Sequence, residues 1–150
     1  VKHDLVLVDL RERLEKCRSV KKYTSENVLQ RCKGLHEYES LLPFVKLNSD
    51  AALTLNTKTG KHFVGLEYEG STKKSDRYIK KITDYYFAPS ISAVFYVCED
   101  EQLEKLIRQV DAEVGQKRDP KVFTCLRSTV QKGNGPIPFR NRDNATLLIE

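Results

Sequence analysis

The chain has 150 residues and carries 26 Lys or Arg against 21 Asp or Glu, a net charge of +5. That is the size of one ordinary domain, able to bury about two thirds of its unfolded surface without metal or disulfide staples. No apolar run approaches the roughly 20 residues of a membrane span, and the N-terminus lacks the pattern of a secretory signal.

Cys17, Cys32, Cys98 and Cys125 are widely spaced and form no C-x-x-C pair, which argues against a zinc ribbon or a redox dithiol. Free thiols in a reducing, cytoplasmic setting are expected. Because the chain opens on Val1 rather than Met, a processed chain or a piece of a longer protein is also expected. A pI near 9.0 lies at the edge of what nucleic-acid binding produces, so the placement of the cations matters more than their sum.

Leu7, Leu10, Leu14 and Cys17 recur at helical spacing among charged residues, predicting an amphipathic helix over about the first 18 residues that covers a sheet. A shorter helix is expected from Ser25 as N-cap, with Val28, Leu29 and Cys32 apolar and Gly34 as its stop. Leu41 to Leu47, containing Pro43, reads as an extended approach to a strand.

The period then changes to two. Residues 51–56 and 61–69 alternate apolar with polar or small side chains around Thr57-Lys58-Thr59-Gly60, which predicts a β-hairpin with that short turn. Ser71 or Thr72 is placed to cap a helix whose apolar face is Tyr78, Ile79, Ile82, Tyr85 and Tyr86, ended by Pro89. Ser92 to Cys98 is dense in β-branched and aromatic residues and reads as a buried strand. Leu103, Leu106, Ile107, Val110 and Val114 predict a helix over 99–115, and 122–126 one more strand.

The expected fold is α/β, a mixed sheet flanked by helices. It forms one domain over residues 1–130, and residues 131–150 are a basic loop or tail that docks a short last strand at Leu147 to Ile149. Lys132, Arg140 and Arg142 lie in that tail. Its Gly-Asn-Gly-Pro stretch is not a phosphate loop, since no Lys-Ser/Thr and helix follow it.

Three carboxylates carry the chemical interest. Asp50 stands before the first hairpin strand, and Glu67 and Glu69, two apart on the second, share a face, with Leu66 and Tyr68 turned to the other. In register, Asp50 falls at the same end of the hairpin. Hard cations such as Mg²⁺ or Mn²⁺ take carboxylate oxygens and polarise phosphodiesters. Carboxylates on a solvent-facing sheet are ordinary in themselves, but the next segment adds direction. Lys73, Lys74, Arg77, Lys80 and Lys81 set five cations against Asp76 in nine residues, a ridge suited to phosphate if it is more than a solvated helix face. His3, His36 and His62 have no mutual spacing of metal ligands and are read as structural.

The order Asp, hairpin, Glu-x-acid, basic helix, apolar strand resembles the PD-(D/E)xK nuclease superfamily, whose core is restriction-endonuclease-like. More narrowly it is similar to the replication-relaxation family of plasmids and integrative elements. The resemblance rests on His3-Asp4-Leu5, Ser49-Asp50-Ala51, Leu66-Glu67-Tyr68-Glu69 with Gly70-Ser71, and Val94-Phe95-Tyr96-Val97, spanning about residues 3 to 114.

The resemblance implies a DNA-handling protein of a mobile element, acting in plasmid replication, relaxation or transfer. An N-terminal winged-helix DNA-binding domain ahead of this region and a homodimer are further expectations. It also implies a Mg²⁺ site at Asp50, Glu67 and the carbonyl of Tyr68, with Glu69 and Lys73 among the catalytic residues. The superfamily's third motif position is Lys and here is Glu69, so either Glu serves there or Lys73, Lys74 or Lys80 substitutes. The alternative is an inactive DNA-binding or protein-interaction module. In either case Lys73, Lys74, Arg77, Lys80, Lys81, Lys132, Arg140 and Arg142 are the expected nucleic-acid contacts.

Overall fold

The computed structural model describes residues 2–32 and 36–150, with side chains from residue 39 onward in the second stretch. Gly34 and the side chain of His36 lie outside the described residues. Helix α1 (Lys2–Glu15) buries Val6, Leu10 and Leu14 at four-residue spacing, as an amphipathic stripe requires. Strand β1 (Val20–Ser25) follows, then α2 (Glu26–Arg31), with Ser25 at its N-cap as expected.

One strand in this region has no counterpart in the sequence reading, and one expectation fails. β1 was not anticipated, because as an edge strand it carries only Val20 and Tyr23 as large apolar residues and has a register shift between Val20 and Lys22. The extended reading of 41–47 is also corrected. A 3₁₀ turn (His36–Leu41) leads into helix α3 (Leu42–Lys46), and Pro43 sits in the first helical turn, where its missing N–H costs nothing.

The hairpin forms as β2 (Ala51–Thr57) and β3 (Gly60–Glu69). Its turn is tighter than expected, for Thr57 and Gly60 already pair and only Lys58 and Thr59 turn the chain. Gly60 takes φ +114°, where a side chain would be strained.

Helix α4 spans Ser75–Tyr86 with Lys74 as N-cap, so neither Ser71 nor Thr72 caps it. The chain before it is wrapped around the Tyr78 hydroxyl, which accepts from the Lys73 N–H at 3.1 Å and lies 3.4 Å from the Ser71 carbonyl. Tyr78, Ile82, Tyr85 and Tyr86 are buried as predicted, whereas Ile79 is exposed.

Strand β4 (Ala93–Cys98) is buried throughout. Helix α5 (Glu101–Val114) starts at Asp100, whose carboxylate accepts from the Leu103 N–H at 2.9 Å. Strand β5 (Val122–Leu126) lies where expected and runs into the short helix α6 (Arg127–Gln131).

The tail expectation is corrected in part. Beyond residue 136 the chain adds β6 (Ile137–Arg140) and β7 (Thr146–Ile149) to the sheet, so the docked last strand comes with a second one. Ile137, Phe139 and Ile149 belong to the same core as α1, and the Phe139 ring stacks on Phe95 at 4.3 Å. No core boundary therefore falls at residue 130. Arg142 is no free arm. Its guanidinium donates to the Tyr86 hydroxyl at 2.8 Å, to buried Asp111 at 3.3 Å and to the Arg118 carbonyl.

The seven strands stand in the sheet in chain order, β1 to β7. Pairing is antiparallel from β1 to β3, parallel across β3, β4 and β5, and antiparallel again through β6 and β7. Parallel neighbours need crossovers, and these are helices α4 and α5, both packed on one face with α2 and α3. The other face is covered by α1 and α6, over Leu53, Leu66, Tyr68 and Phe95. The fold is thus α/β, a mixed sheet between helical layers.

All four cysteines are free and buried. Among the described residues, no helix is long and apolar enough to cross a membrane.

Candidate active site at the end of strand β3

Strand alternation decides which side chains meet. Leu66 and Tyr68 enter the core under α1, while Glu67 and Glu69 turn to the α4 face. There the glutamates are 4% and 6% exposed, which is not the solvated strand face that alternating carboxylates usually mark.

Each carboxylate has its own partners. Glu67 accepts from the Tyr85 hydroxyl at 2.6 Å and lies 3.5 Å from the Lys81 ammonium. Glu69 accepts from the Lys73 ammonium at 2.8 Å, with the Tyr78 hydroxyl at 3.5 Å. Asp50 accepts from the Tyr68 N–H at 2.7 Å and lies 3.4 Å from His3 Nε2.

The three carboxylates and Tyr96 line one cleft of about 300 Å³, bordered by His3, Lys73, Arg77 and Lys81. It opens beyond the carboxyl end of β3, the place where open α/β sheets hold ligands. Burial pushes the Glu67 carboxyl up to about 8, against the pull of Lys81. Burial also raises Asp50, opposed by the Tyr68 N–H and His3.

The backbone alternation fixes which sheet edge the Tyr68 carbonyl faces. The Glu69 carbonyl accepts from the Glu99 N–H on the β4 side, and carbonyls alternate along a strand. Its neighbour at Tyr68 therefore faces the opposite edge, where Asp50 binds the Tyr68 N–H.

The structure separates the expected set. Asp50, Glu67, Glu69, Lys73, Arg77 and Lys81 come together around the cleft. Yet among the described residues no three His, Cys, Asp or Glu side chains gather into one metal-holding group. Glu69 is paired with the Lys73 ammonium instead of standing free beside Asp50 and Glu67.

The basic ridge is corrected. Lys73 and Lys74 precede α4, so the five cations do not form one continuous helical ridge. Lys80, its side chain 80% exposed, pairs with Asp84 outside the cleft, and Lys74 does not line it. Lys132, Arg140 and Arg142 lie elsewhere, Arg142 locked on Asp111 and Arg140 on β6 opposite Thr124.

Several residues of the site were not legible as such. His3 is brought to Asp50 by α1 and tilts against the Tyr68 ring at 5.5 Å. Tyr78 and Tyr85 read as an apolar helix face, but their hydroxyls reach Glu69 and Glu67. Asn48 adopts φ +52°, and its carbonyl accepts from Lys81 at 3.1 Å. A usable signal existed only in the recurrence of Tyr rather than Phe on α4, since a buried phenol needs a hydrogen-bond partner.

His62 lies at the far end of the hairpin beside Thr59 and Ser92. Comparison with protein-family models, curated proteins and solved structures gave no match for this chain.

Proposed function

We propose that this cleft acts on a nucleic-acid phosphodiester with the help of a divalent cation, in a protein that handles DNA. The observation that carries the reading is that the Asp50 and Glu67 carboxylates line the same cleft, with Lys73, Arg77 and Lys81 around them, and strand alternation turns the Tyr68 carbonyl to the Asp50 side. Two carboxylates and a carbonyl are a hard oxygen set that suits Mg²⁺ or Mn²⁺. When bound, such a cation polarises the phosphoryl group and lowers the pKa of an attacking water.

The chain's own residues supply the rest. Arg77 is exposed at the cleft rim and provides a phosphate contact. Lys73 stands at the place left without a lysine by Glu69, to which it is bound. Tyr85 and the Tyr68 N–H hold Glu67 and Asp50 in fixed orientations, so little reorganisation is needed on loading.

The succession β2, β3, α4, β4 matches the order on which the resemblance to PD-(D/E)xK nucleases rests, and that supports a restriction-endonuclease-like core. A role in replication, relaxation or transfer of a mobile element is what the narrower resemblance adds. A second reading, a module that binds DNA without cutting it, is favoured by one observation: the Lys81 and Lys73 ammonium groups already stand 3.5 Å from Glu67 and 2.8 Å from Glu69, where a cation would bind.

Titration of Mn²⁺ into the wild type and Asp50→Asn, with a plasmid-nicking assay beside it, separates the readings. Asparagine retains an acceptor for the Tyr68 N–H while removing the charge. Cation binding and nicking lost in Asp50→Asn support the enzyme. DNA binding that is insensitive to Mn²⁺, with no nicking by either protein, supports the non-catalytic module, and absence of both binding activities removes the whole reading.

A further inference from the structure

The side chain that the cleft leaves unsatisfied is on the neighbouring strand. Tyr96 of β4 stands in register with Glu67 of β3, so its side chain emerges on the same face as the glutamates. It is 1% exposed, and among the described residues its hydroxyl has no hydrogen-bond partner.

The neighbouring hydroxyls behave differently. Tyr85 is hydrogen-bonded to both Glu67 and Ser49, and Tyr78 to the Lys73 N–H. Only Tyr96, of the three phenols on this face around the carboxylates, has its polar end buried without a partner. Leaving a hydroxyl buried and unpaired opposes folding, and a phenylalanine would fill the same space without that cost. A tyrosine there has no value to the free fold that Phe would lack.

Its position points to a use. Tyr96 lines the same cleft as Asp50, Glu67 and Glu69. A phenol is protonated across the physiological range, so Tyr96 offers a donor to the cleft it lines.

We infer that the Tyr96 hydroxyl is a ligand-facing donor, paired only when the cleft is filled, and that it donates to an oxygen arriving with the ligand. That oxygen belongs either to a water carried by the cation or to the phosphate of the nucleic acid. The inference rests on the cation and phosphodiester reading of the cleft. It adds a residue that neither the spacing of acids nor the basic segment indicates.

The test is Tyr96→Phe, measured by thermal melting and by binding. The unliganded variant should melt at or above the wild-type temperature, since the change removes an unpaired buried group. Binding should weaken about 3- to 10-fold, the loss of one neutral hydrogen bond. Two probes locate the oxygen: weaker binding of Mn²⁺ alone places it on the cation's water, and weaker binding only of a duplex oligonucleotide in Mn²⁺ places it on phosphate.

Equal affinities of wild type and variant for both probes overturn the inference. So does a lowered melting temperature with unchanged binding, which would make the hydroxyl structural. Asp50→Asn, run in parallel, keeps the two claims apart. If Asp50→Asn loses Mn²⁺ while Tyr96→Phe binds like the wild type, the cleft reading stands and the Tyr96 assignment falls. If the wild type binds neither probe, both fall.

Discussion

The Tyr85 hydroxyl donates to Glu67 Oε2 at 2.6 Å, and this contact exists because residue 65, two positions earlier on β3, has no side chain. A Cβ on Gly65 would stand 2.7 Å from the Tyr85 oxygen. The phenol therefore lies flat on the strand, where it also accepts from Ser49 at 2.6 Å. Gly65, Tyr85 and Ser49 are parts of one device that orients Glu67.

Gly65→Ala should thus damage the site through Tyr85. Tyr85→Phe leaves Glu67 and Ser49 each short of a buried partner, and a loss of about 1–3 kcal/mol is expected by urea unfolding. In the Tyr85→Phe background, Gly65→Ala should cost less than in the wild type, because a ring no longer pinned by Glu67 and Ser49 can shift away from a Cβ that would also meet its Cε1 at 2.8 Å. Additive losses would show that the two positions are not coupled.

Lys73 and Glu69 form the second relationship open to measurement. Their contact is 2.8 Å, with Lys73 about one third exposed and Glu69 buried. Lys73→Met should cost about 1–2 kcal/mol, below the range for a fully buried pair because solvent screens the ammonium. Adding Glu69→Gln should recover part of that loss. Independent effects in the double-mutant cycle would exclude a direct pairing.

Glu67 makes stability depend on pH. Its carboxyl rises from 4.5 to about 8 on folding because burial disfavours the charge. The folded chain then holds the proton more tightly than the unfolded one. The contribution of this group is complete below about 4.5 and is lost as pH climbs toward 8. Between those values the slope from this one site approaches about 1.4 kcal/mol per pH unit at most. In Glu67→Gln the decline across that window should be reduced. An unchanged pH profile by chemical denaturation would refute the assignment.

Arg142 provides a control on the proposed nucleic-acid contacts. It does not line the cleft, and removing it leaves Asp111, 1% exposed, without its cation. Arg142→Ala should destabilise by about 3 kcal/mol. At temperatures where the variant is folded, the salt dependence of DNA affinity should match the wild type. Arg77→Ser should do the reverse, leaving stability within about 0.5 kcal/mol and reducing the salt slope by about one. A fall in slope for Arg142→Ala would return it to the interface.

What could be read from the residues alone was whatever depends on neighbours in the chain. Period-two alternation put Glu67 and Glu69 on one face and Leu66 and Tyr68 on the other, and helical spacing located α1, α4 and α5. Density of β-branched and aromatic residues marked β4, and the breaks between patterns gave the α/β class. Strand β1 escaped because an edge strand buries too little to show a period, and α3 because Pro43 is as compatible with a first helical turn as with an extended chain.

Partnership was decided by the tertiary structure. Lys73, Lys74, Lys80 and Lys81 are equivalent in composition, yet only Lys73 and Lys81 line the cleft. The choice follows from where α4 begins, and a Tyr78 hydroxyl inside the fold holds the chain before Ser75 out of the helix. His3 meets Asp50 only once α1 is packed on the sheet, and Arg142 reaches Asp111 only after β6 has joined it. Such contacts join residues far apart in the chain, whose meeting depends on the packing of whole elements, and no local period encodes that.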